Sequence, residues 1–226
     1  MVNIIALIQA RMSSKRFSGK SLMPILGEPL VYRVVERVRS VPGIDKVIVA
    51  TSFDESDAPL AEALHANNVH VFRGDLENVQ QRFFDAACHY EADSIIRVTG
   101  DNPLIDPGLI KNLIDAWREK HYDYVACENC IPGVGAELFT MEAFRQARAL
   151  PGDAFDHEHV TPPFWRHEEL FDVYRVPVPA HLKPQDIMLT VDTEEQYREM
   201  VKLYERFYKN GKIDLREVVA SLRKEQ

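Results

Sequence analysis

The sequence predicts an α/β protein built on a mostly parallel, doubly wound sheet. Short apolar runs alternate with segments of helical periodicity from residue 4 to residue 119, which is typical of parallel strands joined by crossover helices. The runs are continuous, such as VIVA within residues 46–50, as expected where helices cover both faces of a sheet. A length of 226 residues suits one domain, taken as residues 1–226.

The elements of the first half follow from this alternation. Apolar runs at residues 4–8, 46–50, 69–72 and 94–98 predict four strands, and residues 29–40, 57–66, 78–90 and 107–119 predict four helices. In the first helix the apolar residues fall on one face, and Pro42 and Gly43 end it. Right-handed crossovers then place the carboxyl end of every strand at one edge of the sheet.

The second half is less regular. The alternation stops after residues 124–125, and residues 127–184 are interpreted as an inserted subdomain or arm, because their aromatic side chains need burial. Within it, residues 136–140 and 173–178 could be strands and residues 141–149 a helix. The core is expected to resume with a strand at residues 187–192, followed by helices at 194–209 and 214–223.

Composition excludes several classes of partner. The net charge is −8, from 27 basic and 35 acidic residues, so neither nucleic acid nor a membrane surface is an expected partner. No apolar run reaches the 18 residues of a membrane span, and the N-terminus lacks the features of a signal peptide. Three cysteines are too few for a disulfide framework. A cytoplasmic location is therefore expected.

A cationic loop follows the first strand. It carries Arg11, Lys15, Arg16 and Lys20, and no Asp or Glu occurs before Glu28. Arginine gives planar, bidentate contacts to phosphate and lysine a mobile point charge, so this loop can hold a triphosphate. Its glycine spacing matches neither a Walker A motif nor a dinucleotide fingerprint. The alternative is a basic surface loop after an edge strand.

Two aspartates are candidate metal ligands. Asp101 and Asp192 each follow an apolar run that ends in a step containing threonine, so both are expected at the edge of the sheet that carries the basic loop. Mg²⁺ on nucleotide phosphates uses one or two protein carboxylates. Alternatively, each aspartate caps the helix that follows it. The two roles can coexist.

Two further clusters stay ambiguous. Cys127 and Cys130 could join His157 and His159 in a zinc site, but one CxxC pair is a weak signal, and two ordinary reduced cysteines are favoured. Residues 156–159 (DHEH) could contact an acidic or hydroxylated substrate. They could equally be a solvated helix start with Asp156 as its cap.

Two motifs carry a family resemblance. Residues 9–20 (QARMSSKRFSGK) and 97–106 (RVTGDNPLID) resemble the corresponding motifs of the sugar-acid cytidylyltransferases, which include the acylneuraminate and 3-deoxy-manno-octulosonate enzymes. Weaker matches extend over nearly the whole chain. The branch of spore coat polysaccharide biosynthesis protein F is the most similar.

This resemblance implies a fold, an activity and partners. The implied fold is the nucleotide-diphosphosugar transferase fold, a three-layer α/β/α sandwich with an inserted dimerisation arm. The implied activity is Mg²⁺-dependent transfer of CMP from CTP to a sugar acid, with release of pyrophosphate, for cell-surface polysaccharide or glycan synthesis by a homodimer. The alternatives are another nucleotide, a sugar-phosphate acceptor, or a non-catalytic nucleotide-binding homologue.

The resemblance also assigns roles to residues. The implied nucleotide ligands are Ala10, Arg11, Ser13, Arg16, Lys20, Thr51, Ser52, Arg73 and Arg82. The implied sugar contacts are Gln9, Asn102, Glu137 and His159, and the implied metal ligands are Asp101 and Asp192. Arg11, Lys20 and Asp101 would be catalytic.

The sequence departs from the family pattern in three places. Ser13 replaces a usual glycine, Phe17 and Ser18 replace a Leu-Pro pair, and residues 132–136 lack a Gly-Leu-Asp pattern. The last departure bears on the identity of the acceptor more than on that of the nucleotide.

Overall fold

Nine strands run through the part of the chain that the computed structural model describes, residues 2–14 and 16–225. Seven of them form the central sheet, in the order β5-β4-β1-β6-β8-β7-β9, and β2 and β3 form a small hairpin. The strands are β1 (Ile4–Gln9), β2 (Pro24–Ile25), β3 (Glu28–Pro29), β4 (Lys46–Ser52), β5 (His70–Gly74), β6 (Ser94–Thr99), β7 (Tyr124–Cys127), β8 (Glu137–Thr140) and β9 (Val173–Val176). Within the central sheet of the described residues, β8 is the strand that runs antiparallel to both of its neighbours, and the other pairs are parallel. The prediction of a mostly parallel sheet is confirmed.

Helices cover both faces of this sheet. They are α1 (Leu30–Arg39), α2 (Ala58–Ala66), α3 (Val79–His89), α4 (Pro107–Lys120), α5 (Met141–Ala149), α6 (Ala154–His159), α7 (Pro162–Arg166), α8 (Glu194–Phe207) and α9 (Leu215–Glu225). Helices α1, α2, α4, α8 and α9 contribute to one hydrophobic cluster, and α3, α5 and α7 contribute to the other. The molecule is therefore the three-layer sandwich that the family resemblance implied.

Strand β1 shows why the strand sequences are continuously apolar. Ile4, Ala6 and Ile8 belong to the first cluster, whereas Ile5 and Leu7 belong to the second. Successive side chains of a strand point to opposite faces, and both faces are buried here. A polar residue within these strands would therefore have to find a partner in the core, except near the carboxyl ends.

The segment at residues 127–184 shares the core of the domain. Its strands β8 and β9 lie in the central sheet, and Phe139, Phe144 and Phe164 are fully buried against it. The predicted burial of its aromatic side chains is confirmed for these three residues. Phe155 and Trp165 remain exposed, and the role of this segment as a dimerisation arm stays a prediction.

The prediction of a strand at residues 187–192 is wrong. These residues form an irregular segment without a strand ladder. The Leu189 amide donates to the Pro132 carbonyl at 2.8 Å, and the Val191 amide donates to the Asp101 carbonyl at 2.9 Å. The segment thus divides its hydrogen bonds between two loops. The Gly133 backbone lies so close that a Cβ there would be 2.3 Å from Leu189.

The helices of the structure bear on the prediction that no segment spans a membrane. Among the described residues, no helix combines the length and apolar character needed to cross a bilayer.

Candidate active site

A cleft of about 920 Å³ opens at the carboxyl edge of the sheet. It runs between the loop after β1, the start of α3, the end of α6 and the loop after β6. The sequence-predicted residues that line it are Gln9, Ala10, Arg11, Ser13, Arg16, Lys20, Arg82, Asp101, His159 and Asp192. The structure thus brings the cationic loop and both candidate metal ligands to one place.

The Lys20 ammonium joins the two aspartates. Its Nζ donates to Asp101 Oδ2 at 2.8 Å, to Asp192 Oδ1 at 3.0 Å and to the Val191 carbonyl at 2.8 Å. An ammonium has three N–H donors, so these acceptors satisfy it completely. Lys20 is only 9% exposed, and its ion pairs hold both carboxylates at the rim of the cleft.

Neither aspartate caps a helix. Asp106 caps α4, and its side chain accepts from the Leu109 amide. Thr193 caps α8 through a reciprocal capping box with Gln196. The helix-cap alternative is therefore wrong for Asp101 and Asp192, because neither carboxylate accepts a hydrogen bond from the first turn of a helix.

The donor set at this point fits Mg²⁺ carried by a nucleotide. Asp101 Oδ1 and Asp192 Oδ2 accept no hydrogen bond from the described residues, whereas the other oxygen of each accepts from Lys20. No group of three or more metal-ligating side chains is found in the described parts of the chain. Two carboxylates with one uncommitted oxygen each suit a magnesium ion that takes its remaining ligands from phosphate and water.

The cationic loop is fixed by a buried aspartate that the sequence did not reveal. Asp57 is fully buried and accepts hydrogen bonds from the Met12 amide at 2.6 Å and from the amide and hydroxyl of Ser52. The Met12 carbonyl in turn accepts from the Gly19 amide at 2.9 Å. Asp57 lies near Asp54 and Glu55 in the sequence, so nothing local distinguished it.

The structure places two of the residues that depart from the family motif. Ser13 lines the cleft, and the Phe17 ring packs 5.8 Å from the ring of Tyr197 on α8. Lys15, which also belongs to the predicted cationic loop, lies outside the described residues.

Gly100 lets the loop after β6 approach β1 closely. Its amide donates to the Gln9 carbonyl at 2.8 Å. A Cβ at this position would lie 2.7 Å from that carbonyl oxygen and 2.9 Å from the Ala10 side chain. A side chain would push Asp101 away from Lys20, so glycine is required here on steric grounds.

The arginines of the cleft differ in how they are held. Arg11 pairs with Glu158 of α6 at 3.1 Å, and Arg16 pairs with Asp192 at 2.8 Å. Arg82 is buried, and its Nη1 donates to the Asp75 carbonyl at 2.6 Å, while its Nε has no partner among the described residues. Burial lowers the pKa of Arg82 to about 10. Arg82 therefore stays protonated at neutral pH.

Three predicted nucleotide ligands do not line the cleft. Thr51 and Ser52 are fully buried, and the Ser52 hydroxyl donates to Asp57. Arg73 donates from Nε to the Ser52 carbonyl at 2.7 Å and from Nη2 to the Asp54 carbonyl at 2.9 Å. The Ser52 and Arg73 side chains thus hold the loop after β4 through these hydrogen bonds, beside the paired ends of β4 and β5.

A second cavity, of about 340 Å³, adjoins the cleft and contains the other predicted sugar contacts. Asn102 and Glu137 line it, and Arg97 and Thr99 line both spaces. Glu137 accepts from Arg97 Nη1 at 2.6 Å, from the Thr161 hydroxyl at 3.1 Å and from the Tyr124 hydroxyl. Burial and the Glu137 charge raise the pKa of Tyr124, so its hydroxyl stays a donor at neutral pH.

Sequence reasoning missed Arg97, although a signal was present. It interrupts the apolar run of β6 between Ile96 and Val98. An arginine inside a buried strand needs a partner, and that partner comes from β8.

Residues 156–159 divide into a structural part and a part on the cleft. Asp153 is the N-cap of α6, and Asp156 completes its capping box from the third helical position, so the prediction of Asp156 as the N-cap residue is wrong. Asp156 is buried and pairs with Arg166 at 2.7 Å. His157, Glu158 and His159 line the cleft. Burial lowers the pKa of His159, which favours its neutral form.

The cysteine pair lies away from the histidines. Cys127 and Cys130 line the second cavity, whereas His157 and His159 line the cleft. All three cysteines are free thiols. The hydrogen bond with Cys130, together with burial, raises the pKa of Cys127, and the same hydrogen bond lowers the pKa of Cys130. The favoured prediction of reduced cysteines agrees with this arrangement.

Comparison with known proteins identifies the family. The model of the cytidylyltransferase family matches residues 5–218. The chain belongs to the cytidylyltransferase family. Its members in the comparison include the spore coat polysaccharide biosynthesis protein SpsF of Bacillus subtilis (strain 168), which is 31% identical over 98% of this chain and 95% of that protein.

Other members of the family extend the likeness in sequence and structure. The 3-deoxy-manno-octulosonate cytidylyltransferase of Geobacter metallireducens is 38% identical over 50% of this chain and 44% of that protein. The structure of a cytidylyltransferase from Leptospira borgpetersenii serovar Hardjo-bovis matches with a TM-score of 0.89 at 27% identity, covering 99% of this chain and 96% of that one. The resemblance stated from the sequence motifs is thus confirmed at the level of the family.

Proposed function

We propose that this chain transfers CMP from CTP to a sugar acid and releases pyrophosphate, in the synthesis of a cell-surface polysaccharide or glycan. The observation that carries the proposal is the buried Lys20 that joins Asp101 and Asp192 beside the cationic loop. A site for a nucleoside triphosphate needs cations for the phosphates and carboxylates for its metal ion. Relatives named for spore coat polysaccharide synthesis and for 3-deoxy-manno-octulosonate support the acceptor class.

The reaction is a displacement at the α-phosphorus of CTP. A hydroxyl oxygen of the acceptor, the anomeric 2-hydroxyl of a 2-keto sugar acid, forms the new P–O bond. The bond from the α-phosphorus to the bridging oxygen of the β-phosphate breaks, pyrophosphate leaves with that electron pair, and the hydroxyl proton passes to solvent. Catalysis of such a step rests on positioning and on stabilising charge at the phosphoryl oxygens.

The residues of the cleft have distinct tasks in this reaction. Arg11 and Arg16 bind the phosphates. Each can exchange its carboxylate partner for a phosphate oxygen, because those carboxylates are partly solvated. Lys20 holds the two aspartates and neutralises part of their charge. Arg82 adds a buried positive charge at the side of α3.

Asp101 and Asp192 are the residues that would hold Mg²⁺. When bound, the ion would neutralise charge on the phosphate oxygens and help to orient the α-phosphate. The carboxylates themselves keep their geometry through Lys20, so this half of the site is organised by the chain's own residues.

The decisive experiment is a screen for pyrophosphate release. Four nucleoside triphosphates are combined with a panel of 2-keto sugar acids and sugar phosphates, with and without Mg²⁺. We expect release with CTP and a sugar acid only when Mg²⁺ is present. Release with another nucleotide or only with sugar phosphates would overturn the specificity, and nucleotide binding without release would indicate a non-catalytic homologue.

Asp101→Asn tests the site within this screen. The substitution keeps the size of the side chain and removes its charge, so we expect turnover to fall by about 100-fold or more. Asp115→Asn is the matched control, because Asp115 is half exposed and, among the described residues, forms an ion pair with Lys111 of α4 alone. Near-normal Mg²⁺-dependent turnover in Asp101→Asn would refute the assignment.

We also propose that the chain works as a homodimer. The exposed Phe155 and Trp165 on α6 and α7 are the side chains expected to be covered by the partner. Sedimentation equilibrium should give twice the chain mass of 25.9 kDa, and a mass of one chain at micromolar concentration would contradict it.

A further inference from the structure

Arg97 lies where the nucleotide cleft meets the second cavity. It lines both spaces, together with Thr99 of the same strand. Because β6 is flanked by β1 and β8, the Arg97 side chain can reach partners on both neighbouring strands. An acceptor in the second cavity would have to pass this point to reach the α-phosphate.

The guanidinium of Arg97 is held from both sides. Nε donates to Gln9 Oε1 at 3.2 Å, and Nη1 donates to Glu137 Oε2 at 2.6 Å. The side chain is only 13% exposed. A guanidinium fixed in this way meets a planar anion without a large loss of rotamer freedom.

Glu137 is committed to holding Arg97. One of its carboxylate oxygens accepts from Tyr124, and the other accepts from Arg97 and Thr161. Both oxygens are thus used within the protein. The sequence-based role of Glu137 as a direct sugar contact is better replaced by that of a positioning residue.

The groups of Gln9 and Arg97 that have no partner among the described residues are donors. Gln9 Oε1 is taken by Arg97, so Gln9 presents its amide N–H groups. The Nη2 of Arg97 donates to no other group in the described ranges 2–14 and 16–225. A pair of N–H donors that includes a guanidinium suits a carboxylate far better than a neutral ester or amide.

Another arginine of the second cavity is engaged elsewhere. Arg175 also lines it, but its guanidinium pairs with Glu168 and its side chain is 43% exposed. Its field is therefore screened more strongly than that of Arg97.

We infer that Arg97, held in position by Glu137, binds the carboxylate of an acidic acceptor together with the Gln9 amide. Arg97 is then the residue that sets the preference for sugar acids over neutral sugars. This inference rests on the proposed function, because it assumes that an acceptor occupies the junction during CMP transfer.

The test compares each active 2-keto sugar acid, such as 3-deoxy-manno-octulosonate, with its methyl ester and its carboxamide. The wild-type protein should use the acid at least tenfold better in kcat/KM, because an ionised partner of the guanidinium is lost in the neutral analogues. Equal use of acid and carboxamide by the wild-type protein would overturn the inference without any variant.

Arg97→Gln should remove this preference. We expect the acid-to-ester ratio of kcat/KM to fall at least tenfold, toward one, while the KM for CTP changes less than twofold. Arg97→Lys keeps the positive charge but loses the paired N–H donors of the guanidinium. Its acid-to-ester ratio of kcat/KM should therefore lie between those of the wild type and Arg97→Gln. Arg145→Gln, at an exposed position on α5, is the matched control with an unchanged ratio.

A merely structural role would give a different result. It would lower kcat/KM for acid and ester alike, or raise the KM for CTP in parallel, and either outcome would refute the inference. Glu137→Gln should raise the KM for the acid more than that for the ester, since it acts through Arg97. Absence of pyrophosphate release from the wild-type protein with every acid would instead refute the proposed function, and the inference with it.

Discussion

Replacing Asp57 by asparagine tests the contact that fixes the cationic loop to the sheet. Asp57 is fully buried. One of its oxygens accepts from the Met12 amide at 2.6 Å, and the other accepts from the Ser52 amide at 3.1 Å and from the Ser52 hydroxyl. Asparagine has nearly the same size, so the substitution changes hydrogen bonding and charge while leaving the packing intact.

The expected loss of stability follows from the geometry. Asparagine offers one oxygen, so its NH₂ group must face either the Met12 amide or the Ser52 amide. A buried donor left without an acceptor costs about 1–3 kcal/mol, and hydrogen bonds to a charged group are among the stronger ones. We therefore expect the free energy of unfolding to fall by about 2–3 kcal/mol. For a chain of this length that corresponds to a melting temperature lower by roughly 4–12 °C.

Urea denaturation of Asp57→Asn and the wild-type protein measures this loss. Asp115→Asn is the control, because removing a half-exposed ion pair costs about 0–1 kcal/mol. The KM for CTP should also rise in Asp57→Asn, since Met12 belongs to the loop that lines the cleft. An unfolding free energy within about 0.5 kcal/mol of the wild-type value would refute the reasoning.

Two further predictions concern a helix cap and a histidine. Thr193→Ala removes the capping box of α8 and should cost about 1 kcal/mol in urea denaturation, whereas Thr193→Ser should restore most of it; an unchanged midpoint in Thr193→Ala would contradict the assignment. Burial lowers the pKa of His159 below its ordinary value of about 6.5, so the unfolded chain binds more protons below that pH and stability falls as the pH drops. His159→Gln should therefore lose less stability than the wild type between about pH 7.5 and pH 5, and an equal loss would show that His159 contributes nothing to this dependence.

The cleft shows how far local patterns reach. Arg11, Arg16, Lys20, Asp101 and Asp192 were all predicted at the carboxyl edge from strand ends and charge, and the structure places them there together. The reasoning held for Asp192 even though the strand predicted before it is absent. Its position depends on the Val191 amide bonding to the Asp101 carbonyl, a contact between segments that are remote in sequence.

Two of the predicted nucleotide ligands that do not line the cleft share one property. Thr51 and Ser52 were expected to face a ligand, but both are fully buried, and Ser52 donates its hydroxyl to Asp57 while its carbonyl accepts from Arg73. Side chains at a strand end point either into the site or into the packing beside it. Which of the two orientations occurs depends on the residues that the fold brings next to that strand end.

The sequence by itself determined the layered α/β fold, the family and the pairing of a cationic loop with strand-end aspartates. These follow from periodicity and short motifs, which are local because burial repeats along each strand and helix. Only the tertiary structure decided that Arg97 meets Glu137, that Asp57 holds Met12 and that Arg11 meets Glu158, pairs separated by 40, 45 and 147 residues. Hydrogen bonds between distant segments depend on the register and packing of whole elements, and no local pattern encodes them.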